Sequence, residues 1–315
     1  MKALLGAGSA MMEGAWEVRR RLYARGVFRP RRVGARVVSI GNLTAGGTGK
    51  TTLTLHLARR ALERGVATRV VCRRYRPGPG GHGDEERMYQ LALGDAAVIA
   101  GQVKWRMAQR AAREAALVLV DDGFSHWRLE RDVDVVLVDA RDPWGGGRML
   151  PAGRLREPRR ALQRAEVVVL TRLPITGAPD ALLRDVRSAA PAAVLAGARH
   201  APGGFHLLAG GACERPARVH VVTATGNPAA VLDSVRECGC VVVGHSVYRD
   251  HHWFAAREVE RERRAAESES AHVLLTAKDA VRWPDGSRGE IVMEVAWRWT
   301  WGGEAVEALV FGSGS

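Results

Sequence analysis

Lysine is almost missing from this 315-residue chain: only Lys2, Lys50, Lys104 and Lys278 occur, and every other member of its 47 basic residues is arginine. The arginines are scattered over the whole length, so the net charge of +13 is not gathered into a basic run. With no zinc-finger spacing and no RNA-binding aromatic signature, nothing supports a nucleic-acid module, and no nucleic-acid partner is expected. The charge excess has two explanations, an anionic partner or a GC-rich genome that writes arginine wherever charge is wanted. Long apolar runs are also absent. No stretch reaches the roughly 18 consecutive apolar residues of a membrane-spanning helix. Cysteine is confined to Cys72, Cys213, Cys238 and Cys240, with neither paired zinc spacing nor the density of a disulfide scaffold, which points to a reducing, cytosolic compartment. Lys2 precedes an apolar run, but it ends near Ala10 and is too brief for a secretory signal. Internal repeats and low-complexity tracts are lacking as well.

What is present begins with an amphipathic helix over residues 3–23. Leu4, Ala7, Met11, Ala15, Val18 and Leu22 recur at helical spacing, with Glu13, Glu17, Arg20 and Arg21 largely on other faces. Such a helix either packs on its own domain or lies in a membrane interface with arginines at the headgroups. From Arg36 onward, continuous Val/Ile/Leu strands ("RVVSI", "ATRVVC", "AAVIAG", "ALVLVDD", "DVVLVDA", "AEVVVLTR") alternate with helices at 51–64, 85–93 and 105–114. Unbroken apolar strands mark a parallel sheet covered by helices on both faces, an α/β, doubly wound architecture. Glycine- and proline-rich text from Ala196 to Pro216 interrupts it, and a second series resumes at "VHVVTATGNP". The expected division is a helical segment 1–35, a nucleotide-binding domain 36–196, a linker 197–217 and a smaller C-terminal α/β domain 218–315.

"GGTGKT", Gly46 to Thr51, carries the clearest chemistry. Thr44 stands where the strict P-loop pattern has glycine, yet a strand precedes the core and a helix follows it. Gly46, Gly47 and Gly49 let successive N–H groups face a phosphate chain, Lys50 reaches the β/γ oxygens, and Thr51 offers a hydroxyl to Mg²⁺. Asp121 and Asp122 end a buried strand, where a P-loop site places its magnesium-side acid; a turn or helix cap is the other reading. Asp84 in "HGDEE" falls at the carboxyl edge of the sheet, where ligands of open α/β folds bind, but an aspartate there also serves as the N-cap of the next helix. "YRDHHWF", Tyr248 to Phe254, gathers an acid and two imidazoles without metal spacing, and its histidines read by default as satisfied surface or core residues.

Several stretches then agree. "SIGNLTAGGTGKT", "DDGFSHWRLERDVDVVLVDA", "LPAGRLREP", "GNP", "DHHWF" and "LLTAKDAV" fall in the order and spacing of the tetraacyldisaccharide 4'-kinase family, and residues 1 to about 285 resemble it. The resemblance implies a two-domain, P-loop NTPase-like kinase, monomeric, held peripherally on the cytoplasmic face of the inner membrane by its N-terminal helix. It would move the γ-phosphate of ATP, with Mg²⁺, to the 4'-hydroxyl of a tetraacylated glucosamine disaccharide 1-phosphate in lipid A synthesis. Carried over residue by residue, the resemblance puts the phosphate loop at Gly46, Gly47, Thr48, Gly49, Lys50 and Thr51, with His126 and Arg156 beside the nucleotide. Magnesium would meet Thr51, Asp121, Asp122 and Glu157. Asp84 would act as base with Lys50 at the phosphates, and His251 would orient that base from the second domain, the pair meeting when the domains close.

The chain departs from the family pattern at Arg74 and Arg76, where small residues are usual, at Ser125 in place of glutamine, and at Ala277 in place of an acid. The competing function is a partitioning-type ATPase at a membrane or nucleic-acid surface; it normally has lysine before the paired glycines, where this chain has Ala45.

Overall fold

The computed structural model describes residues 2–312 apart from 75, 76, 79, 175 and 285, so Arg76 lies outside the described residues. In chain order the elements are α1 (Lys2–Ala24), β1 (Arg36–Asn42), α2 (Lys50–Glu63), β2 (Thr68–Arg73), α3 (Asp84–Leu93), β3 (Val98–Gly101) and α4 (Lys104–Ala111). After these come β4 (Leu117–Asp121), β5 (Val133–Asp139), β6 (Val167–Thr171), α5 (Asp180–Ala189), β7 (Val194–Leu207), β8 (Arg218–Thr223) and α6 (Pro228–Glu237). The chain finishes with β9 (Val241–Val247), α7 (Ala256–Ser268), β10 (His272–Thr276), α8 (Ala277–Ala280), β11 (Ile291–Trp301) and α9 (Gly303–Phe311).

These elements form two compact units. The first comprises Met1–Arg73, Leu93–Arg199 and Trp297–Ser315, the second Arg74–Ala92 and His200–Ala296. In the first, the strands run β3-β2-β4-β1-β5-β6-β7, joined by parallel pairings. The central strands β4, β5 and β6 are buried almost throughout, as their uninterrupted Val/Leu text requires when helices cover both faces. From β1 the chain turns to β2 on one side and later to β5 on the other, so the loop after β1 opens at the reversal of strand order, where open α/β sheets bind ligands. The second unit carries the order β11-β10-β8-β9, again parallel. Its core gathers Val222, Phe254, Leu275 and Trp283 on one face and Val221, Val235, Leu274 and Met293 on the other.

Three segments fall elsewhere than the sequence pattern places them. Residues 197–207, expected as linker, continue the long strand β7, and the glycines that looked like breakers serve close packing: a β-carbon on Gly203 would meet Glu294 Cβ at 3.2 Å and Ala296 N at 3.3 Å. The C-terminal helix α9 belongs to the first unit, because Arg36 donates to Leu309 O at 2.6 Å and Val310 O at 2.9 Å, while Glu307 accepts from Arg64 at 2.8 Å. Helix α3 sits in the second unit although β2 and β3 flank it in sequence.

Helix α1 docks by its polar and aromatic side. Trp16 enters the core with Leu43, Phe124 and Trp127, its indole N–H donates to Glu157 Oε2 at 2.7 Å, and Ser9 donates to Met149 O at 2.7 Å. The apolar stripe is turned outward: Leu4 is 78%, Met11 77% and Val18 58% exposed. No described helix is long and apolar enough to cross a membrane.

Candidate active site

In the first unit the phosphate loop leaves β1 at Asn42 and enters α2 at Lys50. Gly46 (φ +121°) and Gly49 (φ +95°) hold backbone angles that only glycine adopts at no cost, and the helix opens without a capping side chain, leaving its first N–H groups free to meet an anion. The segment 154–156 is zipped onto the loop's entry: Ala45 N–H donates to Arg154 O and Arg156 N–H to Leu43 O, both at 2.7 Å. This pairing explains why "LREP" belongs with the phosphate loop, since it delivers the Arg156 side chain to the same spot.

There Arg156 forks onto Asp122, with Nη1 to Oδ2 at 3.0 Å and Nη2 to Oδ1 at 2.7 Å, and also donates to the Asn42 side chain. Lys50 Nζ donates to Asn42 Oδ1 at 3.1 Å and lies 3.7 Å from Asp122 Oδ1. Burial works to raise the Asp122 pKa, but the Arg156 fork and the charges of Lys50 and Lys104 outweigh it and hold the carboxyl far below the ordinary range. Register places Asp121 beside Ile40, two residues before Asn42, so the acids at the end of β4 reach the loop through strand pairing. Lys50, Asp122 and Arg156 thus come together.

Asn42 and Lys104 complete the cluster without having been foreseen. Lys104 is buried at the start of α4 and donates to the carbonyl oxygens of both Asp121 and Asp122. A cation at a helix N-terminus opposes the dipole, so this ammonium is held by those carbonyls rather than by its own helix. His126 follows in the same turn, its N–H on Gly123 O at 2.9 Å; burial and then the charges of Lys104 and Arg131 push its pKa down to about 4, so the ring is neutral at pH 7. Nearby, Arg131 forks onto Asp134 at 2.8 and 3.0 Å and Asp132 accepts from Val37 N–H at 2.7 Å, so "RDVD" is framework.

The buried polar atoms without a hydrogen-bond partner among the described residues include Thr48 Oγ1 in the loop, Arg156 Nε and Glu157 Oε1 on or next to the segment zipped to it, and Ser125 Oγ and His126 Nε2 after β4. Such groups cost free energy unless a ligand or water meets them. Among the described residues no group of three or more His, Cys, Asp or Glu side chains converges on a metal position. Magnesium in a nucleotide site is held by one or two carboxylates beside phosphate oxygens and water. Asp121 at the end of β4 and Asp122 beside Lys50 are the carboxylates at hand, the latter held on Arg156. Glu157 Oε2 takes Trp16 Nε1 and Arg164 Nη2, at 2.7 and 2.6 Å, which ties the loop's flank to α1, while its Oε1 has no hydrogen-bond partner among the described residues.

The second unit holds Asp84 and His251. Asp84 opens α3, and its Oδ1 accepts from the N–H of the next residue, Glu85, at 2.9 Å. Its Oδ2 lies 2.7 Å from His251 Nδ1 and 3.4 Å from Arg282 Nη1. Both residues lie in one unit, so their pairing needs no closure of domains, contrary to the sequence-based expectation; α3 packs with the segment that follows β9 rather than with its neighbours in sequence. His251 has a left-handed backbone (φ +63°) with its N–H on Ala224 O at 3.2 Å, and Asp250 Oδ2 stands 3.7 Å from its Nε2. Burial raises the Asp84 pKa, but the His251 hydrogen bond and the charges of Lys278 and Arg282 lower it further, so the group is ionised at neutral pH.

Beneath the pair, Arg282 is fully buried, bonded to Asp279 Oδ1 at 2.6 Å and Ala224 O at 3.0 Å, while Asp279 accepts from Thr276 Oγ1 at 2.7 Å. "LLTAKDAV" is therefore the floor under Asp84. Arg74 forks onto the buried Glu86 at 2.8 and 2.6 Å, which makes it a strut of the α3 entry rather than a free cation.

A parallel α/β sheet whose first strand runs through a glycine loop into a helix beginning Lys–Thr, with acids on the adjoining strand, defines a P-loop type of nucleotide-binding protein. Solved LpxK from Aquifex aeolicus, crystallised with ATP, shares the fold with a TM-score of 0.74 at 21% identity over 98% of each chain. The profile of the family Tetraacyldisaccharide-1-P 4'-kinase matches residues 1–310. The chain is 35% identical to the tetraacyldisaccharide 4'-kinase of Anaeromyxobacter sp. (strain Fw109-5) over 83% of this chain and 77% of that one. It is 38% identical to the enzyme of the same name from Syntrophobacter fumaroxidans over 82% and 74%. The chain belongs to the tetraacyldisaccharide-1-P 4'-kinase family.

Proposed function

We propose that this protein transfers the γ-phosphate of ATP to the 4'-hydroxyl of a tetraacylated glucosamine disaccharide 1-phosphate. The observation that carries the reading is Asp84, ionised, buried and hydrogen-bonded to His251, in a chain whose phosphate loop presents Lys50 with Arg156 beside it. Phosphoryl transfer passes through a loose transition state, so most of the catalysis is positioning and charge neutralisation. Lys50 and Arg156 supply positive charge at the phosphate oxygens, and the loop's N–H groups orient them. Asp121, Asp122 and Thr51 would hold magnesium, which would supply further neutralisation of the phosphate charge. Asp84 accepts the hydroxyl proton while His251 holds its carboxylate in place. A carboxylate of low pKa is a weak base, but a loose transition state demands little deprotonation of the nucleophile before bond formation.

The outward stripe of α1 supports a peripheral seat on the cytoplasmic face of the inner membrane. Leu4, Met11 and Val18 are successive heptad positions and drift by only about 20° per heptad around the helix, so they form a single apolar ridge. Val27 and Phe28, just past the helix end, are exposed as well. Arginines beside an anionic leaflet add on the order of 1 kcal/mol each.

The test is incubation of the purified protein with γ-labelled ATP, Mg²⁺ and the disaccharide 1-phosphate lipid in detergent. Labelled lipid is the expected product; label found only as free phosphate would replace this reading with the partitioning-type ATPase.

A further inference from the structure

Arg172, directly after β6, has a left-handed backbone with φ +54°. A non-glycine residue occupies that region at a cost, and here the cost accompanies a specific reach of the side chain. Arg172 Nη1 lies 2.6 Å from Asp139 Oδ2 at the end of β5, and Nη2 donates to the Gly47 carbonyl in the phosphate loop, also at 2.6 Å. Asp139 is itself held, its Oδ1 accepting from Arg141 N–H at 3.1 Å. All these residues belong to the first unit.

The peptide joining Gly47 to Thr48 is trans, so its carbonyl and the Thr48 N–H point in opposite directions. Tying the carbonyl to a guanidinium turns that N–H toward the other side of the loop. Two consecutive glycines, Gly46 and Gly47, otherwise leave this peptide free to rotate. We infer that Arg172 is a positioning residue of the nucleotide site: braced by Asp139, it fixes the Gly47–Thr48 peptide so that the Thr48 N–H faces the phosphate anion. The inference deepens the proposed function and rests on its reading of the loop as an ATP site.

Arg172→Gly keeps the backbone angle available and removes the guanidinium, while Arg172→Lys and Asp139→Asn weaken the brace in milder ways. ATP affinity is measured by calorimetry, the Thr48 amide by hydrogen exchange, and KM separately for ATP and for the lipid acceptor. Loss of a charge-assisted hydrogen bond of this kind is expected to weaken ATP binding about tenfold or more in R172G, and less in R172K and D139N. Thr48 exchange should quicken in all three, with acceptor KM and Tm unchanged. Wild-type ATP affinity in R172G, or in both R172K and D139N should R172G fail to fold, overturns the inference. A wild-type chain with no affinity for ATP overturns the site reading as well. Nucleotide binding without lipid phosphorylation overturns only the proposed acceptor, because the affinity ratios among the variants still decide the role of Arg172.

Discussion

Asp84 Oδ2 and His251 Nδ1 stand 2.7 Å apart, brought together across 167 positions of sequence within a single compact unit. Because the pair is preassembled, removing either member should affect chemistry more than substrate binding. Asp84→Asn keeps the shape beside Arg282 and abolishes the base, and kcat should fall by about 10²- to 10⁴-fold. His251→Gln should lower kcat less. Steady-state assays at saturating ATP and acceptor check both, and near-normal turnover of D84N would remove the base assignment.

Arg156 and Lys50 converge on Asp122 and Asn42. A lysine at position 156 cannot form the two-pronged contact, so Arg156→Lys should lose on the order of 1.5–3 kcal/mol of charge-assisted bonding, about ten- to a hundredfold in kcat/KM for ATP. Lys50→Met should be more severe in kcat, because its charge is needed where charge develops. Equal effects of the two substitutions on ATP binding alone would argue against that distinction.

The two faces of α1 predict opposite phenotypes. Met11→Glu combined with Val18→Glu should release the protein from anionic vesicles in a flotation assay while Tm stays within a degree or two, since both side chains face solvent. Trp16→Ala empties a core position and leaves Glu157 with one donor fewer, so a loss of about 3–5 kcal/mol is expected by chemical denaturation. Vesicle binding that survives the double glutamate variant would exclude the stripe as the contact.

Glu262 predicts the acid limb of stability. Burial opposes ionisation, but hydrogen bonds from His220, Ser246, Tyr248 and Arg261 outweigh it and bring the pKa from 4.5 down to about 2. The folded value is the depressed one, so this contribution is complete above pH 4.5 and is lost as pH falls from there through about 2. Denaturant titrations at pH 6, 4 and 2.5 should show the loss in the wild type. Glu262→Gln should be less stable at pH 6 and show a flatter slope between pH 4 and 2.5; an unchanged slope would mean other carboxylates govern the acid limb.

Much of the first unit was legible because its signals are local. Unbroken apolar strands, a strand–glycine–helix transition and acids at a strand end each depend on a few consecutive residues. Asn42 and Lys104 escaped because their roles depend on partners supplied by other elements. A compositional signal did exist: in a chain that otherwise writes arginine, Lys50, Lys104 and Lys278 all fall beside the candidate site residues. A compact ammonium fits between carbonyl oxygens where a planar guanidinium does not. Arg282 had no such signal, since one arginine among so many is unmarked until its burial is seen.

From sequence alone came the α/β class, the phosphate loop, the acids that follow β4 and the family. Periodicity and glycine chemistry act over a turn or a strand, and several motifs in fixed order leave few alternatives. Tertiary structure alone decided that the apolar stripe of α1 faces outward, that α9 returns to the first unit, that Arg74 braces Glu86, and that Asp84 meets His251 without domain movement. Each of those depends on which distant surfaces meet, and a one-dimensional pattern states that an apolar or charged face exists without stating what covers it.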